Sequence, residues 1–353
     1  MVCRADLQPV SDADLAGFEA GFQDTDNLRT TAFFNNTDTS VLAPFGHPII
    51  HLPITFRPNA TDANNHVENS VLAAYVQDQV ELLPQLHGVF GFRYDRFDLD
   101  YHNNRDKTDL SRKDDLFEPR LGLIFEPIDT LSLYYSYSVS YLPSAGDQFS
   151  SLTATSKTLK PEKFTNFEVG AKWDIYRNLL LTSAIYQLDR DNTTARDPND
   201  PARIVPTGSQ RTRGFELGLM GNVTEAWQIM GGYAYQDAEI TSATTNATKG
   251  AKVALVPHNT FSLWNKYQLM PKLGAALGLI YQDDMYAAVD NAVTLPSFVR
   301  LDAAVYFRIS DSLRAQVNVL NLIGDEYSAT ANGNNNITPG TSRVALMSLT
   351  TSF

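Results

Sequence analysis

The stretch Leu131-Ser-Leu-Tyr-Tyr-Ser-Tyr-Ser-Val-Ser-Tyr141 decides the fold class. Its odd-numbered positions, among them Leu133 and Tyr135, carry large apolar or aromatic side chains, whereas its even-numbered positions are four serines and Tyr134. Successive side chains of a β-strand point to opposite faces, so a strand gathers the serines on one face, while a helix would scatter them around its surface. The stretch therefore predicts a β-strand with one apolar and one polar face.

The same period of two recurs along the rest of the chain, most clearly over 300–308 and 313–319. Alternation of this kind is the main sequence signal for half-buried strands. Fourteen strands are predicted from it. They cover 15–29, 70–82, 86–97, 117–126, 130–141, 163–175, 179–190, 210–221, 227–240, 257–269, 273–284, 297–308, 313–322 and 342–353.

Short and long connections alternate between these strands. The short ones are 83–85, 127–129, 176–178, 222–226, 270–272 and 309–312, and the long ones are 30–69, 98–116, 142–162, 191–209, 241–256, 285–296 and 323–341. Outer-membrane barrels have short periplasmic turns and long external loops, whereas soluble sandwiches give no reason for strict alternation. The predicted strands also exceed the usual length of about 5–6 residues and suit a tilted membrane crossing. We therefore predict an all-β, transmembrane antiparallel β-barrel.

Composition excludes several function classes. The 353 residues include 28 Lys and Arg against 40 Asp and Glu, and the resulting net charge of -12 argues against nucleic acid as a partner. The single cysteine, Cys3, excludes an intrachain disulfide and a CxxC site. No apolar run approaches the length of a transmembrane helix. Residues 1–7 lack the pattern of a signal peptide, so an export signal is expected upstream of this sequence.

Several aromatic residues fall at one level, beside the short turns and on the apolar face. They are Phe125, Trp173, Trp227, Phe307 and Phe353. Aromatic side chains collect at membrane–water interfaces, whereas core packing alone would not place five of them at one depth. The spacing predicts an aromatic girdle.

Longer motifs add a resemblance to a known family. The stretch Leu159-Lys-Pro-Glu-Lys-Phe-Thr-Asn-Phe-Glu-Val-Gly-Ala-Lys-Trp173 resembles the strand-entry motif of TonB-dependent siderophore receptors. Four further features match in the family's order: Pro119-Arg-Leu-Gly-Leu-Ile-Phe-Glu-Pro127, Arg213-Gly-Phe-Glu-Leu-Gly218, Asn318-Val-Leu-Asn-Leu-Ile-Gly-Asp-Glu-Tyr327 and the terminal Phe353. The resemblance covers roughly residues 70 to 353 and is nearer to the ferrichrome and catecholate receptors than to the vitamin or haem branches.

The resemblance implies an outer-membrane receptor for ferric siderophores in a Gram-negative bacterium. Its implied partners are a ferric siderophore, the TonB complex, outer-membrane lipids and lipopolysaccharide, with no cofactor and no enzymatic activity. Such receptors place an N-terminal plug before a barrel of about 22 strands, and nothing in 1–69 resembles that plug. We therefore expect 1–14 to be a segment of unclear role and 15–353 to be the last fourteen strands of a receptor barrel. A plug-less passive pore and a non-functional receptor fragment remain the alternatives.

The sequence gives little evidence of motifs for catalysis or metal binding. The sequence contains no HExxH, GxSxG, GxGxxG or Walker pattern, so no catalytic, cofactor or metal residues are assigned. His47 and His51 share a loop without a helix to align them, which disfavours a metal site. Glycines four apart, such as Gly17 and Gly21, indicate either a thin lumen wall or simple tolerance of small residues.

Charged and aromatic residues in the predicted loops supply candidates without a ranking. A mixed-charge group in the loop after 97 favours a solvated loop over divalent-cation bridging to lipopolysaccharide; it comprises Asp95, Asp98, Asp100, Asp106, Asp109, Asp114 and Asp115 with Arg93, Arg96, Arg105, Lys107, Arg112 and Lys113. A ferric catecholate suits Arg, Tyr and Phe side chains. Candidates of those types are Phe45, Phe149, Arg196, Arg203 and Tyr286.

Phe353 resembles the C-terminal aromatic residue recognised by the outer-membrane assembly machinery. Its deletion from the full-length receptor is expected to lower the surface level of the protein while leaving its synthesis unchanged. Quantitative immunoblotting of whole cells against outer-membrane fractions measures both. Unchanged assembly would leave Phe353 as an ordinary girdle residue.

Overall fold

The computed structural model describes residues 13–42, 50–60, 62–143, 159–176, 178–197, 204–245 and 247–352. These residues form β-strands, turns and loops. Within them, no helix is long and apolar enough to cross a membrane.

Fourteen strands of the described residues form one antiparallel sheet, in which each strand pairs with the next sheet strand along the chain. They are β1 (Ala13–Leu28), β4 (Asn64–Leu83), β5 (Leu86–Asn103), β6 (Asp109–Ile128), β7 (Leu131–Leu142), β8 (Glu162–Tyr176), β9 (Leu179–Arg196), β10 (Ile204–Asn222), β11 (Trp227–Ile240), β12 (Asn259–Met270), β13 (Leu273–Gln282), β16 (Phe298–Arg308), β17 (Leu313–Leu320) and β20 (Val344–Thr351). Each corresponds to one predicted strand, so the predicted fold class is confirmed.

Six short strands form three hairpins inside the predicted long loops. They are β2 (Thr31–Phe34) with β3 (Ile54–Arg57), β14 (Met285–Tyr286) with β15 (Thr294–Leu295), and β18 (Ser328–Ala331) with β19 (Ile337–Pro339). The sequence does not predict these hairpins, because strands of two to four residues are too short to show a period. We refer to the end of the sheet where these hairpins lie as the long-loop end, and to the opposite end as the short-turn end.

The tight turns at the short-turn end are confirmed, and the turn between β8 and β9 shows how one is made. Asn178 has a φ of 63°, and asparagine tolerates this left-handed conformation better than most residues. Its carbonyl oxygen accepts a hydrogen bond of 2.8 Å from the Asn222 backbone N–H. Gly221, with a φ of 143°, lies so close that a Cβ atom would be 1.8 Å from that oxygen. Only glycine fits there.

The two faces of the sheet differ in chemistry along the short-turn half of the strands. The outer face carries large apolar side chains such as Val169 and Ile185, which are 58% and 67% exposed. The inner face carries Ser138, Glu168 and Glu216 at the alternate positions. An apolar outer face and a polar inner face are what a membrane-spanning barrel requires.

The pattern inverts toward the long-loop end of β4, β5 and β6. There the apolar side chains Val67 and Leu99 lie on the inner face, are 2% and 4% exposed, and pack with Tyr101 and Leu110. The charged side chains of the mixed-charge group therefore continue the strands instead of forming the predicted loop 98–116, and β5 and β6 meet through the short segment 104–108. A strand beyond the hydrocarbon layer faces water on its outer side, so its apolar residues turn inward.

Glycines of the inner face are covered by aromatic rings from the neighbouring strand. A Cβ atom on Gly17 would lie 2.2 Å from the ring of Tyr75, and one on Gly214 would lie 2.3 Å from the ring of Tyr186. Such aromatic–glycine pairs recover the packing that a strand glycine gives up. The wall is therefore not thin at these two glycines.

The outer-face assignment can be tested at Val169. Val169→Arg should destabilise the folded chain in a lipid bilayer by about 2–4 kcal/mol, because it places a charge among lipid tails near mid-membrane. Ser138→Arg, on the inner face, is the control and should cost much less. Val139 shares the outer face but is only 6% exposed, so it is a poorer probe.

The measurement is the free energy of unfolding in urea for the full-length protein refolded into phospholipid vesicles. Equal costs for Val169→Arg and Ser138→Arg would contradict the assignment of faces.

Candidate functional site

Three segments at the long-loop end pack together over the ends of β9 to β13. We call 249–256, 285–295 and 328–339 the outer loop cluster. Met285, Ala287, Leu295 and Ala331 form a small buried core within it. The cluster therefore has a packed interior of its own.

Hydrogen bonds tie the segments of the outer loop cluster to each other. The Leu255 N–H donates to the Tyr286 carbonyl at 2.9 Å. The Asn291 side chain accepts from the Lys252 N–H at 2.8 Å and donates to the Lys252 carbonyl at 2.9 Å. These bonds link two segments that are far apart in the sequence. The two segments therefore support each other, which fixes the shape of the surface at the long-loop end.

A cavity of about 350 Å³ lies between the outer loop cluster and the strand ends. Small apolar side chains form most of its wall, while Arg190 of β9 and Gln210 of β10 contribute the long polar groups. The lining residues are Arg190, Thr194, Ala195, Gln210, Val253, Ala254, Leu255, Ala287, Ala288, Val289, Ala331, Asn332 and Gly333. An apolar pocket with a few placed polar groups is typical of small-molecule sites.

Arg190 is held in position from its own sheet. Its Nε atom donates to Glu162 Oε1 at 2.7 Å, and its guanidinium lies 5.0 Å from the centre of the Phe164 ring. Glu162 is 8% exposed, whereas the Arg190 side chain keeps 32% of its surface exposed. The guanidinium keeps free donor capacity because it carries five N–H groups. It can thus meet an anionic or oxygen-rich ligand in the cavity.

A second cavity, of about 380 Å³, lies on the inner face between β7 and β10. Its lining includes Ser138, Asn166, Glu168 and Glu216, and the neighbouring Tyr134 hydroxyl donates to Glu168 at 2.6 Å. These groups bind water or polar solutes well and apolar ones poorly. The serines of the stretch Leu131–Tyr141 thus lie on the inner face of the sheet.

The motif Asn318–Tyr327 acts as a loop anchor. Asn321 is 1% exposed, and its backbone N–H donates to Asp302 Oδ1 at 2.8 Å. Its side-chain amide donates to the carbonyl oxygens of Asp325 and Thr341 at 2.8 and 3.0 Å. Arg300 joins this network by donating to Asp302 at 2.8 Å and to the Tyr327 hydroxyl at 3.0 Å. The motif therefore holds the start and the end of the last long loop together.

Asn321→Ala should destabilise the folded chain by about 1–3 kcal/mol, because its two side-chain hydrogen bonds, to the Asp325 and Thr341 carbonyl groups, are lost. Asn192→Ala is the matched control. Asn192 has a similar φ of 58°, against 51° for Asn321, but is exposed and donates one hydrogen bond, to the Pro161 carbonyl.

Urea unfolding of the refolded chain, together with limited proteolysis of 322–343, measures the effect. Equal destabilisation by the two substitutions would show that only backbone strain matters at Asn321.

Four residues of the predicted girdle are among the described residues. Phe125, Trp173, Trp227 and Phe307 are on the outer face beside short turns, with exposed fractions of 36–47%. Trp227 Nε1 donates to Asn265 Oδ1 at 3.3 Å. Their role at a membrane interface stays a prediction. Phe353 lies outside the described residues.

The structure describes only some of the candidate residues in the predicted loops. Phe45, Phe149, Arg203 and His47 lie outside the described residues, as does the side chain of Arg196 at the end of β9. His51 is an exposed loop residue. Tyr286 belongs to the outer loop cluster, where its carbonyl accepts the bond from Leu255.

Arg190 and Gln210 were not predicted as site residues. Both lie in predicted strands and were read only as part of the alternating pattern. A charged or amide side chain on the inner face, at the long-loop end of a strand, is the signal that points to them.

Comparison with known proteins agrees with this architecture. The family model described as "TonB dependent receptor-like, beta-barrel" matches residues 5–322. The "Probable TonB-dependent siderophore receptor PiuA" of Acinetobacter baumannii is 28% identical over 350 residues, covering 92% of this chain and 46% of that protein. The "Catecholate siderophore receptor Fiu" of Escherichia coli K12 is 30% identical over 237 residues, covering 64% of this chain and 31% of that protein.

A crystal structure of the siderophore receptor PiuA from Acinetobacter baumannii superimposes with a TM-score of 0.81 at 25% identity, covering 96% of this chain and 53% of that one. The chain thus spans about half the length of PiuA, the curated relative whose match covers 92% of this chain. Because the family model covers most of the chain and the same barrel strands superimpose, this chain belongs to the TonB-dependent receptor-like β-barrel family.

Proposed function

We propose that this chain is the barrel portion of an outer-membrane receptor that takes up ferric siderophores with energy supplied through TonB. The observation that carries the proposal is the cavity beneath the outer loop cluster, in which the guanidinium of Arg190, paired with Glu162, lies in a wall of small apolar side chains. The names of the matched relatives, which are siderophore receptors, support the same role.

Ferric catecholates are the siderophore class that this cavity suits best. They carry delocalised negative charge on flat rings, so they combine an anionic surface with an apolar one. Arginine binds such groups through charge and stacking, and the small side chains of the wall leave room for a ring. The similarity to a catecholate receptor points to the same class.

The remaining partners follow from the proposed role. In the full-length protein, contact with TonB is made by a region N-terminal to this barrel portion. The apolar outer face contacts outer-membrane lipids, and the charged outer face near the loops lies at the level of lipopolysaccharide. The cell outer membrane is the proposed location. The protein acts in transport and not in catalysis.

A plug-less pore of fourteen strands is the alternative. Among the described residues, β1 pairs with β4 alone and β20 pairs with β17 alone, so the two edges of the sheet are not joined. Unpaired backbone groups in hydrocarbon cost several kcal/mol each. This favours a larger receptor barrel over a closed pore made of these strands.

Binding of a ferric catecholate tests the proposal. The purified chain, refolded in detergent, is dialysed against the radiolabelled ferric complex of 2,3-dihydroxybenzoate and, for comparison, the ferric complex of acetohydroxamate. Saturable binding of the catecholate complex is expected, with weaker binding of the hydroxamate complex.

Arg190→Gln should weaken catecholate binding at least about tenfold, the equivalent of one charged contact. Arg211→Gln is the matched control, because Arg211 is also paired with a carboxylate, Asp189 at 2.6 Å, but lies outside the cavity. Non-saturable binding, or equal effects of the two substitutions, would contradict the proposal.

A further inference from the structure

Histidines and carboxylates line up across four strands on the outer face at the long-loop end. In one row, Asp26 of β1 is opposite His66 of β4, which is opposite His102 of β5, which is opposite Asp109 of β6. The next row toward the short-turn end holds Asp24, Glu68, Asp100 and Ser111. Because alternate residues share a face, all of these side chains project from the same side of the sheet.

The array lies at the long-loop end of the outer face, beyond most of its apolar residues. On β1 the nearest aromatic residue of this face is Phe22, four residues before Asp26, and on β5 it is Tyr94, eight residues before His102. These separations are roughly 13 and 26 Å along the strands. Charged residues such as Asp98 lie between Tyr94 and His102, and the side chains of His66 and His102 are 36% and 38% exposed, so both histidines are accessible to water.

The side chains already converge as metal ligands do. One ligand atom each from Asp24, His66 and Glu68 lie within 4.8 Å of one another. The His66 Nδ1 atom is 3.5 Å from Asp24 Oδ1, and its Nε2 atom is 3.8 Å from Glu68 Oε1. His66, Glu68, Asp100 and His102 line a common cavity of about 420 Å³.

Carboxylates also fix the orientation of both imidazoles. His66 Nδ1 is 3.0 Å from Asp26 Oδ1, and His102 Nδ1 is 2.6 Å from Asp109 Oδ1. A carboxylate that accepts the Nδ1 proton leaves the Nε2 lone pair free, which is the arrangement found behind metal-bound histidines. The two imidazoles thus distinguish the array from an ordinary acidic surface.

Two basic side chains on the same face pair with a carboxylate outside the array. Lys113 and Arg96 both pair with Asp98, at 2.8 and 3.5 Å, one row closer to the apolar part of the strands. The carboxylates around the histidines therefore repel one another unless a cation enters.

We propose that Asp24, His66 and Glu68, with His102 from the adjacent strand, bind a divalent transition-metal ion of the zinc class. Mixed imidazole and carboxylate ligands suit zinc better than magnesium or calcium, which prefer oxygen alone. Asp26 and Asp109 are positioning residues that orient the imidazoles. The bound ion bridges β1, β4 and β5, and so fastens β1, an edge strand among the described residues. This site is independent of the proposed transport function.

Zinc binding to the full chain in detergent tests the site. The chain carries Cys3→Ser and no affinity tag, and Zn²⁺ binding is followed at neutral pH by competition with a chromophoric chelator. One Zn²⁺ per chain is expected. The double variant His66→Ala/His102→Ala should bind at least about tenfold more weakly, whereas the control His51→Ala/His258→Ala should bind as the parent does.

Two further readouts separate a bound ion from a change in folding. Hydrogen exchange of the β1 amides should slow when Zn²⁺ is added to the parent and stay unchanged in the double variant. Binding should also weaken in mildly acidic solution, because protons compete with the ion for its ligands. Equal affinity in the parent and the double variant, or no Zn²⁺ bound by the parent, would overturn the proposal.

Discussion

Backbone hydrogen bonding inside hydrocarbon is the constraint on which the rest of this structure depends. A peptide group without a partner costs several kcal/mol there, so the chain crosses the membrane as paired strands. Pairing leaves each side chain only two directions, outward or inward. The apolar outer face, the polar inner face and the cavities on the inner side all follow from that choice. The aromatic rings that cover Gly17 and Gly214 are a local consequence, because a strand cannot leave the sheet to close a gap.

Along one strand, the outward-pointing side chains face lipid in one part and water in another. In β5, Phe92 and Tyr94 lie on the outer face, whereas four residues later Asp98 and Asp100 lie on that face and Leu99 is buried inside. The strand continues unchanged while its polarity inverts. This inversion marks the point where β5 leaves the lipid, and it carries histidines and carboxylates to a surface in contact with water.

Much of the fold could be predicted from the sequence. The alternation of Leu131–Tyr141 and its repeats identified fourteen strands, because a period of two survives wherever one face meets lipid. The strand ends were less predictable. The residues after Phe97 were assigned to a loop because the stretch is long and polar, whereas the long-loop ends of β5 and β6 are strands that place their apolar side chains on the inner face. The family resemblance rested on motifs such as Asn318–Tyr327, whose anchoring role only the contacts of Asn321 reveal.

The candidate site was mostly beyond prediction. The Arg190 cavity is closed by segments more than sixty positions away in sequence, and their packing depends on bonds such as that between Leu255 and Tyr286. His66 and His102 come together only through strand register. The girdle residues, Phe353 and the ligand candidates in the undescribed loops stay predictions. The spacing of residues in the sequence predicts which way a side chain points within a strand. It does not predict which distant loops pack together.

Side-chain direction along β8 can be measured by spin labelling. In the full-length protein, with its native cysteines including Cys3 replaced by serine and reconstituted into lipid vesicles, single cysteines at each position from 164 to 172 are labelled, and their collision rates with oxygen and with a water-soluble nickel chelate are compared. Oxygen access should peak at the odd positions, among them 167 and 169, and nickel access at the even ones. A flat profile, or a repeat near 3.6 residues, would contradict a membrane-spanning strand with one lipid-facing side.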